Sequence, residues 1–570
     1  MPRRAAFLLV LLAAPALAGC AGSPGGAPPS PPASPTGAND GMAGMDGMDG
    51  MPAMPGMPGM GGMGGMGNGT MNGMDGMLPH VAPGPRTTLD RSIAGLPDSQ
   101  PSAEVRLADG ATFDLTAGLV AHDPGVGHPL RMLAYNGQVP GPTLRVPQGA
   151  TITVRFHNAL PWDSTVHWHG VRLAATMDGV PGVSQDPVPP GGDFRYQVHV
   201  PDEGLFWYHA HVREDLEQGL GLAGLLVVDG PEAQRGEGPR EVPLVLTDLF
   251  LENGTDIASY FEETVTRTLM GRYGNHYVVQ GGAAWESTAR PGERVRLLVL
   301  DAANARPFRL QVTGAAAVQW VASDSGFLQQ PRNVTGQVIL APAERAVIDV
   351  VMPARGDVVV YHRPSLSPLG FVALATLRAA GDALADPGAP AGPHERARAS
   401  LQEVLPHLGD APRLTWDLDM RMDMLAFGGI AHSHTSPPPE VEWEDIHMAA
   451  NALSDLDNVQ WVIRDNATGR EGMDADYHFT RGDLVPILLR NRIDAMHPMD
   501  HSFHVHGQRF VVVSTNGVPN PDLAWKDTVL VPTGADVRIL VAMTNPGTWV
   551  YHCHISEHMA AGMMGQLSVA

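Results

Sequence analysis

The sequence predicts an all-β protein of three sandwich domains, and three observations predict it. Charged residues make up only 17% of the 570, while Gly (66) and Pro (51) are both enriched, a balance that suits strands and turns better than helices. From about residue 100, short β-branched runs such as Thr151-Ile152-Thr153-Val154-Arg155-Phe156 and Gly224-Leu225-Leu226-Val227-Val228-Asp229 alternate with turns. Two polar stretches, Pro231 to Arg240 and about Ala379 to Pro412, divide the body into segments of ordinary domain size, 100–230, 240–380 and 410–570. The second stretch carries a short helical pattern near His394–Leu405.

An internal echo supports one fold used three times. Val146-Pro147-Gln148-Gly149-Ala150-Thr151-Ile152-Thr153-Val154 is similar to Ala289-Arg290-Pro291-Gly292-Glu293-Arg294-Val295-Arg296-Leu297, and Phe479-Thr480-Arg481-Gly482-Asp483-Leu484-Val485 is a third copy. Each is a glycine turn feeding a strand. The balance of 37 Lys+Arg against 60 Asp+Glu gives a formal charge of −23, which argues against a nucleic-acid partner. Two cysteines exclude a disulfide scaffold and any site needing several thiolates. The abundant ligand-type residues are Met (28) and His (24).

Residues 1–20 read as an export signal. Arg3-Arg4 precedes an apolar run from Ala5 to Ala18, shorter than the roughly 20 residues that span a bilayer. The ending Leu17-Ala18-Gly19-Cys20 resembles a bacterial lipobox with Cys20 as the lipidated residue, and Arg3-Arg4-Ala5-Ala6-Phe7-Leu8 resembles a twin-arginine signal. The expectation is an exported protein, lipid-anchored outside the cytoplasmic membrane or in the cell envelope, with no other membrane contact. Residues 21–99 read as a disordered tether. Within it Met42, Met45, Met48, Met51, Met54, Met57, Met60, Met63 and Met66 recur every third residue, and Met71, Met74 and Met77 resume the spacing. In a polyproline-type conformation these thioethers share one face, a soft surface suited to transient Cu(I) binding.

Four histidine windows carry the chemistry: His167-Trp168-His169, His209-Ala210-His211, His501-Ser502-Phe503-His504-Val505-His506 and His552-Cys553-His554-Ile555-Ser556-Glu557-His558, with Met563 five residues on. They hold ten of the 24 histidines. Spacing i, i+2 on a strand puts both imidazoles on one face, so each His-x-His offers two ligands to one cavity. In the last window His552 and His554 share a face and Cys553 takes the other. One Cys, two His and a weak axial Met form the ligand set of a blue-copper site. Cys553, His558 and Met563 supply three of these, and a histidine of another window must supply the fourth.

These windows, with Tyr135-Asn136-Gly137-Gln138-Val139-Pro140-Gly141-Pro142-Thr143 and Met177-Asp178-Gly179-Val180-Pro181-Gly182, resemble the multicopper oxidase family over roughly residues 100–570. The resemblance implies three cupredoxin-like Greek-key domains and four coppers: one type 1, one type 2 and two type 3. By motif, His501, Cys553 and His558 would bind type 1 copper with Met563 axial. His167 and His504 would bind type 2. His169, His209 and His554 would hold one type 3 copper, and His211, His506 and His552 the other. The middle domain would hold none. A reductant would give electrons to type 1 copper, and Cys553, with His552 and His554, would carry them to a trinuclear cluster that reduces O₂ to water. Asp178 matches an acidic proton relay. Met559 stands where some bacterial members carry an acidic proton donor, leaving Glu557 or a water chain as substitutes. Gln508 and Asp186 replace a non-ligand His and a disulfide Cys of other members.

Two substrates compete. Met496, His497, Met499 and Asp500 lie just before His501 and offer soft donors and a carboxylate for Cu(I), as in bacterial cuprous oxidases; Met420, Met422 and Met424 form a second methionine group that alternatively lines a strand face. The alternative is a laccase acting on phenols or aromatic amines. A non-enzymatic copper-sequestering lipoprotein would need the methionine run but not the histidine windows. Oligomeric state is left open.

Overall fold

The computed structural model describes residues 90–570 except 237, 263, 365–369, 385–390, 393 and 424–440. The export signal with Cys20, the run Met42–Met77 and Met424 lie outside the described residues. The protein is 46% strand and 8% helix, an all-β architecture. Six sheets pair into three sandwiches. The first joins a five-stranded sheet, with Thr143–Pro147, Ala223–Asp229, Gly204–His209 and His167–His169 among its strands, to a four-stranded one built around Thr112–His122 and Thr151–Asn158. The second and third each join a six-stranded to a five-stranded sheet, over Arg240–Ala379 and Leu414–Val569. Each sandwich encloses its own apolar core.

The three-fold echo marks real topology. Gly149, Gly292 and Gly482 all adopt positive φ (+85°, +80°, +98°), the left-handed turn that glycine makes without strain. In each domain the strand before this turn runs parallel to a late strand of that domain, Leu144 opposite Leu226, Trp285 opposite Ala375 and Asp476 opposite Gln566. The strand after it runs parallel to an early strand, Thr153 opposite Thr112, Val295 opposite Arg240 and Ile487 opposite Leu414. The turn therefore carries the chain from one sheet of the sandwich to the other at the same point each time. Strand Leu484–Asn491 alternates half-buried and buried residues throughout, and the buried set, Val485, Ile487 and Leu489, enters the third core.

One expectation is corrected. The tether does not extend to residue 99: Arg131 Nη1 donates to the Ser92 carbonyl (2.9 Å) and the Ser99 amide to Ala121 (3.0 Å), so residues 90–99 pack on the first sandwich. Met420 and Met422 are core residues of strand Leu414–Met422, buried on one face by the strand's period of two. The helix expected near His394–Leu405 forms at Glu395–Ser400.

The sandwiches are joined by more than linkers. A segment of the middle domain crosses to the third: the Arg267 amide donates to the Ser454 carbonyl (2.8 Å), Leu269 to Ser454 Oγ (2.9 Å) and Met270 to Asn451 Oδ1 (3.0 Å). Leu269, Met270 and Tyr273 are counted in the third domain's core.

Candidate metal centres

Strand pairing brings the four windows together. Strand His167–His169 lies antiparallel to Gly204–His209, with His167 opposite His209. Strand His501–Val505 lies antiparallel to Gly547–Cys553, with His504 opposite His552 and Phe503 opposite Cys553. Alternation then sorts the side chains. Trp168 enters the first core, and Phe503, Val505 and Cys553 enter the third, while the intervening histidines face a common space between the two domains. All ten histidines are 5% exposed or less.

They fall into two groups. His501, Cys553 and His558 form one, with Nδ1 of His501 3.7 Å and Nδ1 of His558 3.8 Å from Cys553 Sγ. The second is a set of overlapping trios, His167/His169/His209, His167/His504/His506 and His211/His506/His552, whose ligand atoms lie within 4.8 Å of one another. His554 completes it, its ring 5.0 Å from His169 and 5.2 Å from His209.

The rings are held from outside and open inside. Nδ1 of His167 bonds the Asp178 carbonyl (2.8 Å), that of His504 the Asp527 carbonyl (2.8 Å), that of His209 the Ala210 carbonyl (2.8 Å) and that of His552 the Cys553 carbonyl (2.9 Å). Nε2 of His167, His209, His211 and His504 is buried without a hydrogen-bond partner. His169 is reversed, with Nε2 against Asp527 Oδ1 (3.1 Å) and Thr528 Oγ1 (3.0 Å) and Nδ1 unpartnered. So many orphaned ring nitrogens aimed into one enclosed space fit bound cations and little else, because a buried polar atom without a partner is otherwise costly.

Protonation agrees. Burial drives His169, His209, His211, His504, His506, His554 and His558 well below the usual imidazole range, His552 down to about 4 and His501 to about 3, so all are neutral at pH 7, the form that can ligate a metal. Burial pushes the Cys553 thiol up to about 12, so its thiolate needs a cation to persist.

Sequence and structure comparisons place this geometry in a family. Multicopper oxidase family profiles match residues 120–233 and 445–570. The chain is 27% identical over 463 residues to the multicopper oxidase MmcO of Mycobacterium tuberculosis, covering 76% of this chain and 82% of that one. It is 25% identical over 590 residues to copper resistance protein A of Escherichia coli, covering 81% and 93%. The crystal structure of a multi-copper oxidase from Pseudomonas thermotolerans superposes with TM-score 0.60 at 26% identity, covering 82% of this chain and all of that one. The chain carries two multicopper oxidase domains, its first and third sandwiches. It is therefore a copper-dependent oxidoreductase that uses O₂ as acceptor, and its sandwiches are cupredoxin-like.

Three carboxylates touch the histidine cluster of this multicopper oxidase. Asp178, 3% exposed, accepts from Nδ1 of His506 at Oδ2 (2.8 Å), while its Oδ1 lies 3.3 Å from Nδ1 of His167. Asp527 sits beside His169 and is clamped by Arg345, whose Nη1 and Nη2 donate to its two oxygens at 2.6 and 2.7 Å. Glu214 was not found from sequence: its Oε1 lies 3.2 Å from Nδ1 of His211, and burial holds its pKa well above the usual range. The only sequence signal was an acidic residue three positions after His211 in an acid-rich turn. Glu557, the substitute expected for the acid missing at Met559, instead accepts from Arg272 Nη1 (3.0 Å) and Asn304 Nδ2 (3.1 Å). Gln508 is structural, its amide bonding the backbone of Thr544 and Asn545.

Around Cys553 the environment is soft. Met563 is fully buried, and its carbonyl accepts from the Cys553 amide (3.0 Å) while its amide donates to His558 (3.0 Å). Of the residues expected to receive Cu(I), His497 is buried with Nε2 2.9 Å from the Met270 sulfur, and its ring meets that of His447 at 5.0 Å. Met270 and His447 were not singled out in the sequence, since one arrives from the middle domain. Met496, next to His497 in sequence, is 48% exposed. Asp500 is buried, accepts from the Glu442 amide (2.6 Å) and is raised by burial to about 7. Met499 lies fully in the third core, its carbonyl accepting from Asn491 (2.6 Å).

Proposed function

We propose that this multicopper oxidase oxidises Cu(I) to Cu(II) and reduces O₂ to water, a copper-tolerance activity. The observation that carries the substrate choice is the contact between His497 and Met270. It brings together an imidazole and a thioether, the soft donor that selects Cu(I), with the exposed Met496 next to His497 in sequence. Trp461 lies between that pair and the His501/His558 rings. Glu442 and Asp500 add carboxyl groups to the same region.

In this reading four coppers are held: type 1 by His501, Cys553, His558 and Met563, type 2 by His167 and His504, and the type 3 pair by His169, His209, His554 and by His211, His506, His552. Bound copper supplies the one-electron redox chemistry that passes four electrons to each O₂. The chain supplies the rest. Cys553 is flanked by His552 and His554, so one three-residue peptide links the two ligand groups covalently. Outer hydrogen bonds fix the tautomers of His167, His169, His209, His504, His506 and His552, and burial excludes water from both sites. In this reading Asp178, between His167 and His506, passes protons from Oδ1, and Glu214 does so beside His211.

The test is oxygen consumption by the copper-loaded protein with Cu(I) and with a phenol, on the full chain and on one lacking residues 42–77. Blue colour and about four coppers per chain are expected, with faster turnover of Cu(I). Phenol turnover far above Cu(I) turnover, with Cu(I) kinetics indifferent to loss of residues 42–77 and to Met270→Leu, would transfer the assignment to a laccase.

A further inference from the structure

The His501/Cys553/His558 group owes its shape to a residue outside the histidine windows. Trp461, on strand Val459–Asp465, stacks on the His558 ring at 4.2 Å and 26° and meets His501 edge-on at 5.0 Å and 78°. It is 1% exposed. Its Nε1 donates to the Thr268 carbonyl at 2.7 Å, and Thr268 belongs to the segment that crosses from the copper-free middle domain. The flanking amides of Arg267, Leu269 and Met270 are all bonded to the third domain, so the carbonyl is fixed in place.

We propose that Trp461 is a positioning residue of the type 1 site, clamped by the middle domain, and that it sets the site's reduction potential. An imidazole bound through one nitrogen can still swing about its side-chain bond unless a face is held. The indole holds that face of His558 and caps His501, and it keeps water from both rings. Less water around a copper–thiolate site disfavours the more highly charged Cu(II) state and raises the potential. The middle domain, which offers no copper ligand in this reading, would then act on electron entry through one backbone carbonyl.

The inference rests on reading His501, Cys553 and His558 as the type 1 ligands, and the experiment separates the two. Trp461→Leu and Trp461→Phe are compared with wild type by copper content, the visible and electron paramagnetic resonance spectra, and redox titration of the blue absorption. The Leu variant removes the ring; the Phe variant keeps a ring and removes the bond to Thr268. Trp416→Phe is the packing control, because Trp416 is equally buried in the same core but stacks on Tyr551 and bonds Tyr477 instead.

The Leu variant is expected to keep its copper and lose at least tenfold in the reduction equilibrium, about 59 mV for one electron. The Phe variant is expected to lose about threefold, with an altered spectrum, and Trp416→Phe to leave potential and spectrum unchanged. If the Leu variant does not fold, the Phe variant decides. A potential in Trp461→Phe, and in any folded Leu variant, within the error of wild type overturns the proposal, as does an equal shift in Trp416→Phe. A wild-type protein that binds copper without blue colour overturns the underlying ligand assignment, and the proposal with it.

Discussion

Replacing Arg345 by Met tests whether the middle domain braces the histidine cluster. Arg345 is fully buried and spends its donors on three domains: Nε on the Leu205 carbonyl (2.9 Å) in the first, Nη1 on Ala343 (3.1 Å) in its own, and Nη1 and Nη2 on Asp527 (2.6 and 2.7 Å) in the third. Met matches much of its volume but leaves the Asp527 carboxylate, also fully buried, without its cation. Removing one partner of a buried pair costs about 3–5 kcal/mol. At about 1.4 kcal/mol per factor of ten, that is a loss of roughly two to three and a half orders of magnitude in the equilibrium against opening. The unfolding of three packed domains is a poor two-state process, so hydrogen exchange is the better assay. In copper-free protein, amides of strands His501–Val505 and Thr528–Val531 should lose protection by that factor, while strands of the first domain remote from Leu205 change little. Arg345→Met combined with Asp527→Leu should recover most of the loss, because neither charge is then buried alone. The double variant should still bind less copper, since His169 has lost the carboxylate at its Nε2. Protection unchanged within about threefold in the single variant, or a double variant as weak as the sum of its parts, would refute the brace.

Four other outcomes are expected. Cys553→Ser should abolish the blue colour, lower copper content from about four to about three per chain and stop oxygen uptake, read by metal analysis and an oxygen electrode. Burial raises Glu442 to about 8, so the folded protein holds a proton that the unfolded chain releases near pH 4.5, and wild-type stability falls as pH rises between those values. Glu442→Gln removes that slope, so in copper-free protein the variant should gain a few kcal/mol on wild type between about pH 5 and about pH 8; parallel stability profiles would contradict the burial argument. Gly179 has φ +85°, and a β-carbon there would meet the Val166 carbonyl at 1.9 Å. Gly179→Ala should therefore cost more than the roughly 1–2 kcal/mol of left-handed strain and displace Asp178 from His506, seen as a lower melting temperature together with lost copper. Glu214→Gln should slow reoxidation by O₂ about a hundredfold in stopped flow while leaving reduction of the blue site unchanged, if its carboxyl supplies protons beside His211.

What the sequence made legible and what it did not divide along a physical line. The ten clustered histidines could be found because a strand's period of two is local: His167 and His169, or His552 and His554, share a face whatever the rest of the chain does. The fold class was legible for the same reason, and even the faint glycine echo reported a sheet-to-sheet crossing, because positive φ at Gly149, Gly292 and Gly482 is a local demand. Reasoning from adjacency to a ligand was less secure. Met499, two residues before His501, lies in the core, while Met270, 231 positions earlier than His501, sits against His497. Arg345 meets Asp527 across 182 residues, and Glu214 counts only because its turn folds back on His211.

These long-range partners have a common origin. Met270, Thr268, Arg272 and Arg345 all come from the domain that carries no histidine window; Thr268, Arg272 and Arg345 each reach a residue against a candidate copper ligand or next to one in sequence, Trp461, Glu557 and Asp527, and Met270 reaches His497. A domain kept only as a spacer would have no reason to bury two arginines against carboxylates of the third domain, an arrangement that costs desolvation and is repaid only by close geometry. The middle sandwich is better understood as the part that holds the other two at the separation the shared histidine cluster requires. Its apparent silence in the sequence follows from its role, because a residue that positions ligands without being one needs no recurring spacing of its own.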